Sequence, residues 1–229
     1  MGKEKAHKKE LLELLRIKSQ LKQKVYDNTL SAFSNLKNLQ EKISIDYNRD
    51  LTDVDERIKL NYEPRGEFES EFKVAGDLLF FSMHSNIFEF NREHNAWKTN
   101  YLQNNQMYSY CGIINVYNFL ADSFKYNRLE DLGYLITRIF INIEKHFFVE
   151  GKRQEKYLYN NFEQSILTKE VLKEIILKSI IYAIEFDLLV PPYDHVKIAS
   201  VAQLNEKMEY SRMKTGKRLG FKFNSDDVS

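Results

Sequence analysis

The chain has 229 residues, 43% of them hydrophobic and 14% aromatic, so it can bury a sizeable core and is not globally disordered. Its 34 Lys and Arg nearly balance 33 Asp and Glu, which excludes a whole-chain field steering it to nucleic acid or an acidic membrane. A single cysteine, Cys111, excludes an internal disulfide.

The N-terminal stretch MGKEKAHKKELLELL has no apolar run of the secretory kind. The expected setting is the cytoplasm, or a phage particle assembled there, with no membrane contact. Between Gly2 and Pro64 there is neither Gly nor Pro. Apolar residues recur at Leu11, Leu14, Leu21, Val25, Ala32, Leu39 and Ile43, with Lys18 and Asn28 on the same seam. This spacing predicts a long amphipathic helix over about residues 5–45, or two helices broken near Asp27 to Thr29. Unbroken, it would reach roughly 60 Å at 1.5 Å per residue. Residues 1–62 are therefore read as a helical unit, either a hairpin packed on its own domain or an arm. In the arm reading, Leu11, Leu14, Leu21 and Val25 are the partner-binding residues and the chain is a homo-oligomer or joins other subunits.

Residues 50–67 read as a charged connector with room for one helical turn and a break at Pro64 to Gly66. Residues 63–195 have the texture of an α+β core. GDLLFFSMHSNIFEFNREHNAW is expected to form paired strands about a turn at His84 to Asn86. GIINVYNFLADSFKY carries an uninterrupted helical stripe, Ile113, Val116, Tyr117, Leu120, Ala121 and Phe124, and is expected to be a helix. LGYLITRIFINIEKHFFVEGK gives two more strands about a turn near Ile143 to Lys145. Thr168 caps an apolar helix that runs to about Val190 and stops at Pro191 and Pro192. Five charged residues interrupt that helix, so it reads as buried and not membrane-spanning. The predicted fold is α+β, a central antiparallel sheet in ββαββα order, followed over residues 196–229 by a short helix and a tail. A shared Ile-Phe then Asn-x-Glu pattern in the two strand regions allows two equivalent hairpins in one sheet.

The stretch HFFVEGKRQ holds Glu150 and Lys152 in a Glu-x-Lys, with Asp131 upstream. This resembles the metal-binding signature of the restriction-endonuclease-like nucleases, and the resemblance implies magnesium held by Asp131 and Glu150 beside Lys152. The hairpin register argues otherwise. With the turn centred on Glu144, Ile139 faces Val149 and Ile141 faces Phe147, which puts Glu150 opposite Arg138. Asp131 then lies seven positions further along, roughly 20 Å away at about 3.3 Å per residue. Glu150 is read as half of a cross-strand ion pair.

His7, His84, His94, His146 and His195 make no helical metal-ligand pair, and Cys111 reads as a buried small residue. No metal and no cofactor is expected. The tail interleaves Arg212, Lys214, Lys217, Arg218 and Lys222 with Phe221 and Phe223. The two phenylalanines suit a protein-docking strand, while the cations could instead track a phosphate backbone. The layout fits a non-enzymatic structural or adaptor subunit of a larger assembly, such as a phage ring or connector or a bacterial scaffold. The alternatives are the magnesium-dependent nuclease and a nucleic-acid-binding module acting through the tail.

Overall fold

The computed structural model describes residues 2–129, 131–151 and 161–186, and Val201. The predicted short helix after residue 200 and the tail with Phe221 and Phe223 lie outside the described residues, apart from Val201, which is helical. The fold is α+β: one long N-terminal helix and a seven-stranded antiparallel sheet.

The helix is continuous, with no hairpin break at Asp27 to Thr29. It comprises α1 (Gly2–Leu14), a π-helical turn (Leu15–Ser19) and α2 (Gln20–Asp50). Within that turn Gln20 N–H reaches back to Leu15 O, which widens the helix and shifts the phase of its stripes. From Leu21 onward one face is buried, including Val25, Phe33, Leu36 and Ile43. This face shares a single core with the sheet, so α2 belongs to the body of the domain.

The sheet runs β1 (Asn61–Pro64), β2 (Glu69–Val74), β3 (Asp77–Met83), β5 (Tyr110–Leu120), β6 (Tyr134–Ile141) and β7 (Phe147–Gly151), and β4 (Phe88–Glu89) pairs with the start of β5. Its inner face, from Phe72 and Phe81 to Ile114, Val116, Ile139 and Phe147, packs on α2 and on α5 (Lys169–Glu185). Thr168 caps α5 by accepting from Val171 N–H, as its position predicts. The β6–β7 hairpin also has the expected register, Arg138 opposite Glu150 and Ile139 opposite Val149, about a turn with Lys145 at φ 61°.

The rest of the order differs from ββαββα. The segment expected to be a helix at 112–126 is the central strand β5, followed by the one-turn α4 (Ala121–Lys125). Its pairing with β3 along Ile114–Leu120 and with β6 along Gly112–Asn118 supplies backbone partners that a helix would have supplied internally. Both of its faces are covered in part, so it lacks the clean alternation of a half-exposed strand. Asn118, which interrupts the strand pattern, is simply buried. A second difference is that β3 does not pair with the segment after His84. Its hairpin partner is β2, through a tight turn with Ala75 at φ 50°. A third is β1 itself, an edge strand within the supposed connector, where Pro64 sits at the strand's end on the unpaired edge.

The two similar sequence segments are therefore not equivalent hairpins. Residues 88–109 instead form a strap over the outer face of β6 and β7. It contains a 3₁₀ turn (Asn95–Lys98), α3 (Asn100–Asn104) and a second 3₁₀ turn (Gln106–Ser109). Phe90, Tyr101, Leu102, Cys111, Phe140 and Phe162 close a second, aromatic core beneath it.

Candidate docking interface

The predicted partner-binding residues divide along the helix. Leu21 and Val25 are buried in the chain's own core. Leu11 and Leu14 are 57% and 51% exposed. They belong to an arm in which every residue from Lys3 to Gln20 is exposed. At about 1.5 Å per residue the arm projects roughly 27 Å beyond the body. Leu11, Leu12, Leu14 and Leu15 have the i, i+1, i+3, i+4 spacing that gathers side chains onto one helix face. Leu12 and Leu15 are 42% and 51% exposed as well, so among the described residues nothing covers this apolar face.

The root of the arm is fixed from several sides. Lys18 and Lys22 approach the Tyr110 ring, each 5.5 Å from its centroid, and the Tyr110 hydroxyl raises the Lys18 pKa. Asn28 Nδ2 donates to the carbonyls of Asn142 (3.2 Å) and Ile143 (2.8 Å) in the β6–β7 turn. Thr29 packs against Gly112 so closely that a Cβ there would meet its side chain. At the other end Asn48 exchanges hydrogen bonds with Leu60 on the way into β1. The helix thus crosses the sheet from the Tyr110 end of β5 to the start of β1, and the arm leaves at the Tyr110 end.

Asp131 and Glu150 of the nuclease-like motif engage different partners. Asp131 is nearly buried, accepting from Ser123 Oγ at 2.7 Å with Arg128 at 3.6 Å. Glu150 engages both carboxylate oxygens elsewhere: Oε1 lies 3.1 Å from His94 Nε2 and Oε2 lies 3.6 Å from Arg138 Nη1. Arg138 Nε in turn donates to Asn115 Oδ1 at 3.3 Å, completing a polar row across β5, β6 and β7. His94 comes from the strap, 56 positions from Glu150, and no sequence spacing announces that contact. Lys152 lies outside the described residues. Among the described residues no three His, Cys, Asp or Glu side chains are placed to hold a metal ion. None of the described helices is long and apolar enough to cross a membrane.

His94 also stacks on Phe90 with centroids 4.5 Å apart, and His146 stacks on Tyr101 at 5.3 Å, so both pin the strap. Tyr101 donates to Glu144 Oε2 at 2.6 Å and accepts from Asn142 Nδ2 at 2.9 Å. Burial and the Glu144 bond push the Tyr101 pKa far up, while the Tyr101 hydroxyl draws that of Glu144 below the usual carboxylate range. Burial alone raises the Cys111 thiol pKa, which makes it an inert core group.

A cavity of about 590 Å³ opens at the opposite end of β5, where the β2–β3 turn, α4 and the connector before β1 meet. Ile58, Leu78, Leu120 and Phe124 supply apolar lining, with Glu63, Asp122, Lys73 and Lys125 among the charged groups around them. Sequence reasoning missed it because its walls come from three separated segments. No protein-family model, curated protein or solved structure matches this chain.

Proposed function

We propose that the chain is a non-enzymatic structural or adaptor subunit that joins a protein assembly through its N-terminal helical arm. The observation that carries this reading is the uncovered leucine face, four large aliphatic side chains at 42–57% exposure on a helix that touches little of its own domain. Contiguous exposed apolar surface of this kind is a feature of interaction sites. The anchored root argues in the same direction: the helix is already nucleated where the arm begins, at Lys18, Lys22 and Asn28, which lowers the cost of ordering the arm on a partner. The Glu150 row ties three strands and the strap together and is read as structural.

The test is cross-linking and affinity capture from the native source, with the parent compared to a variant in which Leu11, Leu12, Leu14 and Leu15 are all Ser. A stoichiometric protein complex formed by the parent, resistant to nuclease and lost in the variant, supports the proposal. Magnesium-dependent cleavage of DNA or RNA by the parent, abolished by Glu150→Gln, would overturn it.

A further inference from the structure

Resting on the docking reading above, we infer that the arm's partner is a second copy of this chain, engaged head to tail. The arm of one copy lies across the mouth of the cavity between the connector and α4 of the next, with only its leucine side chains reaching in. Three observations combine. The first is chemical complementarity. Residues 3–18 carry six Lys and Arg against three Glu, around the leucine face. Residues 50–74, which form the connector and the first two strands beside the cavity, carry eight Asp and Glu against four Lys and Arg, and the cavity itself is lined by Asp55, Glu63, Glu71 and Asp122 against Arg57, Lys73 and Lys125. The basic arm therefore repels its own kind in side-by-side pairing and is attracted to the acidic end. Glu10 and Glu13, which flank the leucines, suit Lys73 and Lys125 at the cavity.

The second observation is apolar fit. Ile58 and Phe124 line the cavity and are 42% and 45% exposed, an uncovered patch that matches the uncovered leucines. The third is geometry. The arm leaves the body beside Tyr110, the first residue of β5, and the cavity sits at Leu120, the last. Ten residue steps at about 3.3 Å separate them by roughly 33 Å. The arm continues α2 outward from the Tyr110 end, away from the cavity, so it cannot fill the cavity of its own chain. An interface between two different surfaces of identical subunits is heterologous: it propagates into a ring if the rotation closes and a filament if it does not. An arm about 27 Å long and 10 Å wide gives a footprint smaller than that of a standard stable interface, so the association expected is weak and concentration-dependent, micromolar or looser.

The experiment is sedimentation velocity and light scattering of the full chain across about 1–200 μM, a range bracketing micromolar association. The parent should gain mass with concentration beyond a dimer, and the association should weaken with salt because it pairs a basic with an acidic surface. The arm variant with all four leucines changed to Ser should be monomeric, as should the cavity variant Ile58→Ser with Phe124→Ser. An equimolar mixture of the two should form dimers and stop there, because only one competent arm meets one competent cavity. Should the cavity variant lose its fold, Glu63→Lys with Asp122→Lys tests the same surface, and association should again weaken at low salt. A parent that stays monomeric at every concentration overturns the inference. So does a cavity variant that still dimerises, since that would mean arm-to-arm pairing. A monomeric parent that captures another protein through the arm sinks only the head-to-tail inference and leaves the docking reading standing.

Discussion

Gly112→Ala tests how tightly the long helix is keyed to the sheet. Gly112 lies near the start of the central strand β5, and an added Cβ would meet three atoms of Thr29. Thr29 Cβ and Cγ2 would lie 2.7 and 2.8 Å away and Oγ1 closer still, all inside the distance that real contacts allow. Relief is difficult on both sides. Thr29 is fully buried, its χ1 is restricted by β-branching, and its hydroxyl already donates to Val25 O at 2.7 Å. Gly112 is held in register opposite Ile141 of β6. Overpacking of this kind costs about 1–3 kcal/mol, and a site where the buried, β-branched Thr29 side chain has little room to turn belongs at the upper end. For a domain of this size each kcal/mol moves the melting temperature by about 2–4 °C, so a loss of roughly 6–12 °C is expected in calorimetry or circular dichroism. Thr29→Gly removes all three clashing atoms at a helix-propensity cost of about 1 kcal/mol. The double variant should therefore be more stable than Gly112→Ala alone, with a coupling of at least about 1 kcal/mol. A neutral Gly112→Ala, or two effects that merely add, would show that the helix does not rest on this contact.

Tyr101→Phe leaves the buried Asn142 amide without its acceptor and should cost about 1–3 kcal/mol. Emission from Trp97, the one tryptophan and a strap residue, should report the loosened strap, and unchanged stability and emission would refute the role. Glu144 has a lowered pKa owing first to the Tyr101 hydroxyl, so its contribution is complete above the ordinary carboxylate pKa and is lost as pH falls through the lowered value. Urea midpoints measured down the acid limb should drop there in the parent and more weakly in Tyr101→Phe. Glu150→Gln should cost only about 0.2–1 kcal/mol, the range of a half-exposed cross-strand pair. A loss of several kcal/mol in denaturant titration would mean the row bears more than that. Along the helix, Leu21→Ala and Val25→Ala should each destabilise markedly, Leu21 by about 2–5 kcal/mol. Leu11→Ser and Leu14→Ser should leave the unfolding midpoint of dilute protein unchanged.

Legibility in the sequence followed how local the determining contacts are. The β6–β7 register could be read because alternating apolar residues and a short turn fix it from within some fifteen positions. Thr168 was readable for the same reason, since a cap acts on the next turn of helix. The helical character of residues 5–45 was readable from period, but neither the choice between one helix and two nor the place where its face passes from buried to exposed was. Leu14 and Leu21 are equivalent in the heptad spacing, but the π turn between them shifts the stripe and the sheet extends beneath only one of them. Strand β5 was misread because a strand flanked on both sides and packed on both faces shows a continuous apolar run, in which a helical stripe can always be traced. The strap and the cavity had no local signal. Each is assembled by pairings across tens of residues, such as His94 with Glu150.

The arm also poses a thermodynamic problem that the proposed docking resolves. An isolated helix of under about 12–15 residues is marginal in water, because nucleation is unfavourable and propagation adds little per residue. Here nucleation is already complete, since α2 is held by the sheet and the arm only propagates from its end. Propagation through the π turn is imperfect, as its hydrogen bonds depart from the regular spacing, and four exposed leucines gain nothing from the monomer. In dilute solution residues 3–14 should therefore fray from the π turn outward, and their amides should exchange quickly. Burial of the leucines in a partner adds the apolar stabilisation that propagation alone lacks. Exchange in residues 3–14 should slow as concentration rises, while residues 25–43 remain protected at every concentration. Rapid arm exchange that persists in an assembled state would show that assembly does not use the arm, and the head-to-tail geometry would fall with it.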